Sequence, residues 1–396
     1  MEQMPPFSAL RSAISDQKLL LVAVVLSIGL AACFGLSEAD KRYNSGVDLL
    51  EEGRYQEAEA EFDQAILLDN SMAAAFHNRA LVKERTGRLP EAIEDFTRSI
   101  ELEPDLAVAY ANRGGAHNRL GNFQTALDDL NQSLSMDGKS VPALTQRGLA
   151  LMNLGRLKEA LTSLDRAIEL DPEFYLAYVN RGTAHITLGE TQLALADYGK
   201  AINLNPGHGQ SYMNRGSAYD GLGRFEEAIA DYGIALLLSP ESPTLYSNRG
   251  ASYHAMGDLQ RALADFEKAI FLDPTLVAAW YNLGVVHQDL EELDEAVIAY
   301  ERAIAIAPAS IDALINRALV YSALEKYGRA VADLVRVVEI DPTYAKAYVI
   351  RAYAYARLGK EAQSQADIDL AVALGVDRAK AEISAEINIL GRSPSP

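Results

Sequence analysis

The chain has 396 residues, 49% of them apolar and 23% charged, with a formal charge of −19. That length exceeds an ordinary single hydrophobic core, and the composition excludes both a disordered chain and one wholly embedded in a membrane. The excess negative charge reads as a solvated outer face and argues against nucleic acid, whose phosphates it repels. One cysteine excludes an intramolecular disulfide.

The first element is an uncharged stretch from Leu19 to Leu36, preceded by Arg11 and Lys18 and followed by Lys41 and Arg42. Eighteen such residues sit at the lower limit for a membrane span. The stretch holds Leu30-Ala31-Ala32-Cys33, which resembles the lipobox of bacterial lipoproteins. That resemblance implies cleavage before Cys33 and lipidation of its thiol. An uncleaved anchor stays open beside it. The segment before Leu19 is long and its side chains sum to zero charge, whereas secretory signals carry positive charge. Residues 1–36 are thus a signal peptide or an N-terminal membrane anchor. The expected location is membrane-associated, on the exported side of a bacterial membrane.

From residue 39 the chain repeats every 34 residues. Pro104, Pro172, Pro206, Pro240, Pro274, Pro308 and Pro342 share one grid, and Gly46, Gly114, Gly148, Gly182, Gly216, Gly250 and Gly284 share another. The units run 39–72, 73–106, 107–140, 141–174, 175–208, 209–242, 243–276, 277–310, 311–344 and 345–378. Each predicts two helices. In 209–242, Tyr212, Tyr219, Leu222, Phe225, Ala228, Ile229, Tyr232 and Ala235 recur at helical spacing, Gly223 interrupts them and Pro240 closes the unit. A period of this length predicts a stacked solenoid, whose function lies on a long surface.

These repeats resemble the tetratricopeptide repeat family. Family position 4, bulky, is Phe76, Tyr110, Tyr178, Tyr212, Tyr246, Trp280 and Tyr348. Position 8, small, is the glycine series, with Ala80, Ala318 and Ala352 substituting. Position 20 is alanine from Ala58 to Ala330, and position 24 is Phe62, Phe96, Tyr198, Tyr232, Phe266 and Tyr300, with Leu130, Leu164 and Leu334 elsewhere. Small residues let two helix backbones approach while the large ones fill the wedge beside them. The match spans residues 39–378; Ser364, standing where alanine is expected, marks the last repeat as the most divergent. The resemblance implies an all-α fold, a right-handed superhelix of antiparallel helix pairs. Residues 379–396 read as a capping helix, Ala379 to Leu390, and a short tail.

Position 7 carries Arg79, Arg113, Arg147, Arg181, Arg215, Arg249, Arg317 and Arg351. Sixteen residues later stand Asp95, Asp129, Asp197, Asp231, Asp265, Asp333 and Asp367. In repeat 277–310 both members change together, to Leu283 and Ala299. This covariation within the chain predicts a salt bridge between the two helices of one repeat, with Arg147 and Ser163 as the exception. Taken as partly exposed, each is expected to contribute about 0–1 kcal/mol. The functional alternative is a row of arginines offered to an anionic ligand.

In the resembled family, positions 2, 5, 6, 9, 12 and 13 of the first helix line a concave groove. Position 6 is Asn44, Asn78, Asn112, Gln146, Asn180, Asn214, Asn248, Asn282 and Asn316. The row is similar to the asparagine ladder of the O-linked N-acetylglucosamine transferase superhelix, whose amides hold an extended peptide backbone. An amide offers a donor and an acceptor together, so it can match a peptide unit of any sequence. Bracing of the helix packing is the alternative role. Position 5 includes Tyr43, His77, Ala111 and Tyr281, and position 9 includes Leu81, Gly115 and Val285. A carboxylate clamp of the kind that needs Lys at position 5 and Asn at position 9 is therefore absent. His117, His185 and His287 at position 11 read as packing residues. No metal-ligand spacing, phosphate loop or nucleophile motif appears. The expectation is a non-enzymatic, membrane-tethered scaffold that binds protein or peptide segments and needs no cofactor, small-molecule substrate or nucleic acid. A structural subunit of a membrane complex and an adaptor serving a separate envelope enzyme are the rival roles.

Overall fold

The computed structural model describes residues 36–378 and Lys380. The predicted lipobox with Cys33 and nearly all of the predicted capping helix lie outside the described residues. The chain divides into two compact units, Met1–Ala218 and Tyr219–Pro396.

The first unit holds five complete helix pairs: α1 (Glu38–Glu51) with α2 (Tyr55–Leu68), α3 (Ala73–Arg85) with α4 (Leu89–Leu102), α5 (Ala107–Arg119) with α6 (Phe123–Met136), α7 (Val141–Asn153) with α8 (Leu157–Leu170), and α9 (Tyr175–Thr187) with α10 (Thr191–Leu204). The division falls within α11 (Gly209–Asp220). The second unit holds α12 (Phe225–Leu238), then α13 (Pro243–Ala255) with α14 (Leu259–Leu272), α15 (Val277–Asp289) with α16 (Leu293–Ile306), α17 (Ile311–Ala323) with α18 (Tyr327–Ile340), and α19 (Ala345–Arg357) with α20 (Glu361–Ala373). Within each unit the two helices of a repeat pack together, the second also packs on the first helix of the next repeat, and successive first helices touch.

Close approach of the two helices of a repeat explains the glycine grid. A Cβ placed on Gly46 would lie 2.7 Å from the Phe62 ring, and one on Gly284 would lie 2.6 Å from the Tyr300 ring. Position 24 therefore rests directly on position 8. Position 20 completes the contact: Ala58, Ala92, Ala160, Ala262 and Ala330 are wholly buried.

The helix ends are also written in the repeat. Between the two helices most repeats place a glycine with positive φ, such as Gly189 at 78°, a conformation that costs other residues energy. Glu291 (φ 61°) and Glu325 (φ 56°) take that position in repeats 277–310 and 311–344 and hold the same strained geometry. At the end of the second helix an Asp or Asn folds back on the backbone two residues on, as Asp273 Oδ1 accepts from Thr275 N at 2.8 Å. The proline that follows leaves its carbonyl to the next repeat. Tyr178 donates to Pro172 O, Trp280 to Pro274 O and Tyr348 to Pro342 O, at 3.2, 2.9 and 3.1 Å. The proline grid and the aromatic position 4 are thus two ends of one contact.

Candidate functional site

The inner face of the first unit encloses a cavity of about 480 Å³ over the first four repeats. Its wall is Leu50, Leu81, Glu84, Arg85, Ala111, Asn112, Gly115, Arg119, Pro142 and Gln146 from first helices, with Tyr55 from a second helix. Every first-helix member falls at position 2, 5, 6, 9, 12 or 13, since those positions share one stripe of an α-helix. A Cβ on Gly115 would meet only the Gln146 side chain, at 3.9 Å. Absence of that side chain keeps the middle of the wall open. The charge in the wall is mixed: Arg119 Nη1 lies 3.1 Å from the Glu84 carboxylate.

The amide row divides by what each side chain already holds. Asn78 Nδ2 donates to the Tyr43 hydroxyl at 3.0 Å, Asn316 Nδ2 to the Tyr281 hydroxyl at 3.0 Å, and Asn112 Nδ2 meets His77 Nε2 at 3.3 Å. In all three, position 6 is tied to position 5 of the preceding repeat. Gln146 Oε1 accepts from Asn118 at 3.1 Å, and Asn214 Oδ1 accepts from Gln210 at 2.7 Å. Among the described residues, the side chains of Asn44, Asn180, Asn248 and Asn282 make no hydrogen bond, and all four are half-buried.

Position 5 departs from the expected groove: His77, Ala111, Thr145, Val179, Ser247, Ile315 and Val349 are buried between helices rather than offered to it, Ala111 alone reaching the cavity wall, and Asn78 is the one buried member of the amide row. His77 and Asn78, at positions 5 and 6, are both fully buried, so neither is available to a ligand. The imidazole stacks edge-on against Phe96, with centroids 5.3 Å apart. Its burial holds the His77 pKa down at about 4, and Nδ1 has no hydrogen-bond partner. The sequence signal was available: a large polar-tipped side chain at position 5 can reach the next amide, whereas Ala111 or Val179 cannot.

The arginine row is internal, as the covariation predicts. Arg79, Arg113, Arg181, Arg249, Arg317 and Arg351 each clamp the same-repeat aspartate through Nε and Nη2, at 2.5–2.8 Å. Leu283 and Ala299 are buried together at the equivalent place. Arg215 and Asp231 fall on either side of the division between units. The expected partial exposure needs correction. The Asp333 and Asp367 side chains are 6% and 5% exposed. A carboxylate buried that deeply depends on its partner far more than a surface ion does. Two of the arginines also reach the preceding repeat, with Nη1 2.6 Å from Asp63 for Arg79 and 2.7 Å from Asp165 for Arg181.

The position-11 histidines do more than fill space. His185 Nδ1 and His287 Nδ1 lie 2.7 Å from Glu190 and Glu292, the residues that precede their second helices. Among the described residues, no three of His, Cys, Asp or Glu are grouped as a metal site. Nor is any described helix long and apolar enough to cross a membrane.

Comparison with known proteins gives repeated matches to family models described as "Tetratricopeptide repeat" or "TPR repeat", over residues 71–139, 145–209, 216–257, 243–276, 277–310 and 311–344. Together they cover more than half of the chain. No curated protein matches it. Among solved structures, a tetratricopeptide repeat protein from Parabacteroides merdae is 22% identical, covering 64% of this chain and 98% of its own, with a TM-score of 0.49. YrrB, described as a TPR protein with an unusual peptide-binding site, is 23% identical over 47% of this chain and 95% of its own, with a TM-score of 0.41. MamA from Desulfovibrio magneticus is 18% identical over 43% of this chain and 96% of its own, with a TM-score of 0.41.

Proposed function

This chain belongs to the tetratricopeptide repeat family, and from that premise we propose that it is a membrane-tethered scaffold whose inner groove binds extended segments of partner proteins. One observation carries the reading: the cavity wall of the first unit is built almost entirely from the groove positions of successive first helices, and two row amides, Asn112 and Gln146, stand in it. Asn44, Asn180, Asn248 and Asn282 keep their side-chain donors and acceptors uncommitted to the fold. Each amide offers a peptide unit about 0.5–1.5 kcal/mol net, so several must act together. The tether in this reading is Cys33, lipidated after cleavage of residues 1–32.

A purely structural role would call for a continuous apolar belt on the second helices. Leu67, Leu237 and Phe271 are exposed at one shared position of the second helices, but Glu101, Ser135, Glu169 and Asn203 stand between them, and Ala305 and Glu339 follow. The belt is broken through the first unit, which favours the groove.

The test of the groove is a photo-crosslinking residue placed at Gly115 or Asn180, with Glu101 as the outer control. Partner adducts are expected from the two inner positions and not from the control; adducts from the control alone would refute the groove. The tether is tested by Cys33→Ser, which should abolish lipid labelling and release the protein from membranes. Wild-type protein that stays in membranes without any lipid label would replace lipidation with an uncleaved anchor.

A further inference from the structure

Of the seven row arginines whose partners are described, six end on a same-repeat aspartate and one does not. Arg147 meets Ser163 instead, donating from Nε to Oγ at 3.0 Å. Ser163 is fully buried and donates in turn to Glu159 O at 3.0 Å. Among the described residues no carboxylate lies within ion-pair distance of this guanidinium. Glu159, on α8, acts on Arg147 only through space, its charge offsetting part of the burial; its two oxygens are held by Arg156, at 2.8 and 2.7 Å. Repeat 141–174 also lacks the usual ring at position 4. Arg79, Arg113, Arg181, Arg249 and Arg351 sit 5.2–5.6 Å from Phe76, Tyr110, Tyr178, Tyr246 and Tyr348; here the residue is Leu144. Arg147 is therefore a half-buried cation stripped of both features that stabilise its counterparts. Burial pushes its pKa down, whereas the bridged arginines of the row are pushed up.

The fold itself shows how an acid reaches such a guanidinium from outside. On Arg79 and Arg181 the Nη1 edge takes Asp63 and Asp165, presented by the second helix of the preceding repeat. Those two carboxylates are 51% and 54% exposed, so that edge faces solvent. At the corresponding place before Arg147 stands Asn131, which is exposed and uncharged.

We propose that Arg147 is a docking point for one carboxylate side chain of a partner protein, received on the Nη1 edge in the manner of Asp63 on Arg79. With Nε given to Ser163, the Nη1 end of the guanidinium supplies the charge-assisted donor for the incoming carboxylate. A single acid suits the site better than a polyanion, because a chain with a charge of −19 repels polyanions at long range. The site does not rest on the groove reading: Arg147 reaches toward α8 and takes no part in the cavity wall.

The test uses the full chain and two blocked tripeptides, N-acetyl-Ala-Glu-Ala-amide and its Gln twin, in thermal melts at fixed ionic strength. Two variants bracket the site with patterns that the fold already contains. Ser163→Asp supplies the aspartate of the other repeats, and Arg147→Leu with Ser163→Ala copies Leu283 and Ala299. The Glu peptide should raise the wild-type melting temperature by about 1–2 °C more than the Gln peptide, and this difference should vanish in both variants. Equal effects of the two peptides on the wild type, or a difference that persists in either variant, would overturn the proposal. Inorganic phosphate stabilising the wild type more than the Glu peptide would make this a phosphoryl site and overturn the carboxylate assignment.

Discussion

At the scale of single residues, identity at one position decides what the same amide does at the next. Asn78 and Asn316 are committed because Tyr43 and Tyr281 are long enough to meet them. Asn180 follows Thr145, whose hydroxyl turns back to Val141 O, and Asn282 follows Ser247. The asparagine row was legible from spacing alone; its division was not, because it depends on the reach of a side chain in another repeat. His77 gives this scale a measurable consequence. Its folded pKa of about 4 lies below the ordinary value near 6.5. Between those values the unfolded chain binds the extra proton, so stability rises with pH through that window and falls as pH drops from about 6.5 toward 4. Complete loss corresponds to about 3 kcal/mol. Melting temperatures of the wild type and of His77→Gln, followed from pH 7 to 4.5, should converge or cross because the wild type declines more steeply. His117 and His208, held down by burial in the same sense, leave a residual slope in both proteins. Parallel declines would remove His77 as a source of acid sensitivity.

At the scale of helices, the features that recur at every period were the most legible ones. Position 8 against position 24 follows from small and large residues repeating at fixed places, and the same-repeat pairing of arginine with aspartate from two substitutions that change together in the sequence. The depth of the ion pairs was hidden, because neighbouring helices cover the aspartates and spacing says nothing of that cover. Arg317 and Asp333 show what is at stake. Arg317→Ala leaves a carboxylate that is 6% exposed without its two guanidinium donors, an expected loss of about 3–5 kcal/mol. Arg317→Leu with Asp333→Ala, the pattern of Leu283 and Ala299, should recover most of it, since a packed apolar pair avoids the desolvated charge. Urea unfolding of the two single variants and the double variant forms the cycle. A double variant as unstable as the sum of the singles would show that the pair is not coupled.

At the scale of the whole chain, the 34-residue period announced a solenoid, and repeat architecture followed. Stability in such an array is a sum of repeats and their neighbour contacts, which is why side chains facing the groove can change without loss of fold. The N-terminal tether and the groove are separate claims, and the groove is the central one. Its most direct measurement is affinity capture from native membranes with mass spectrometry, comparing the wild type with Asn180→Ala, Asn248→Ala and Asn282→Ala combined. Those three amides make no side-chain hydrogen bond among the described residues. The variant should keep its helicity and melting temperature while the partners captured by the wild type are lost. Unchanged capture by a folded variant would contradict the groove.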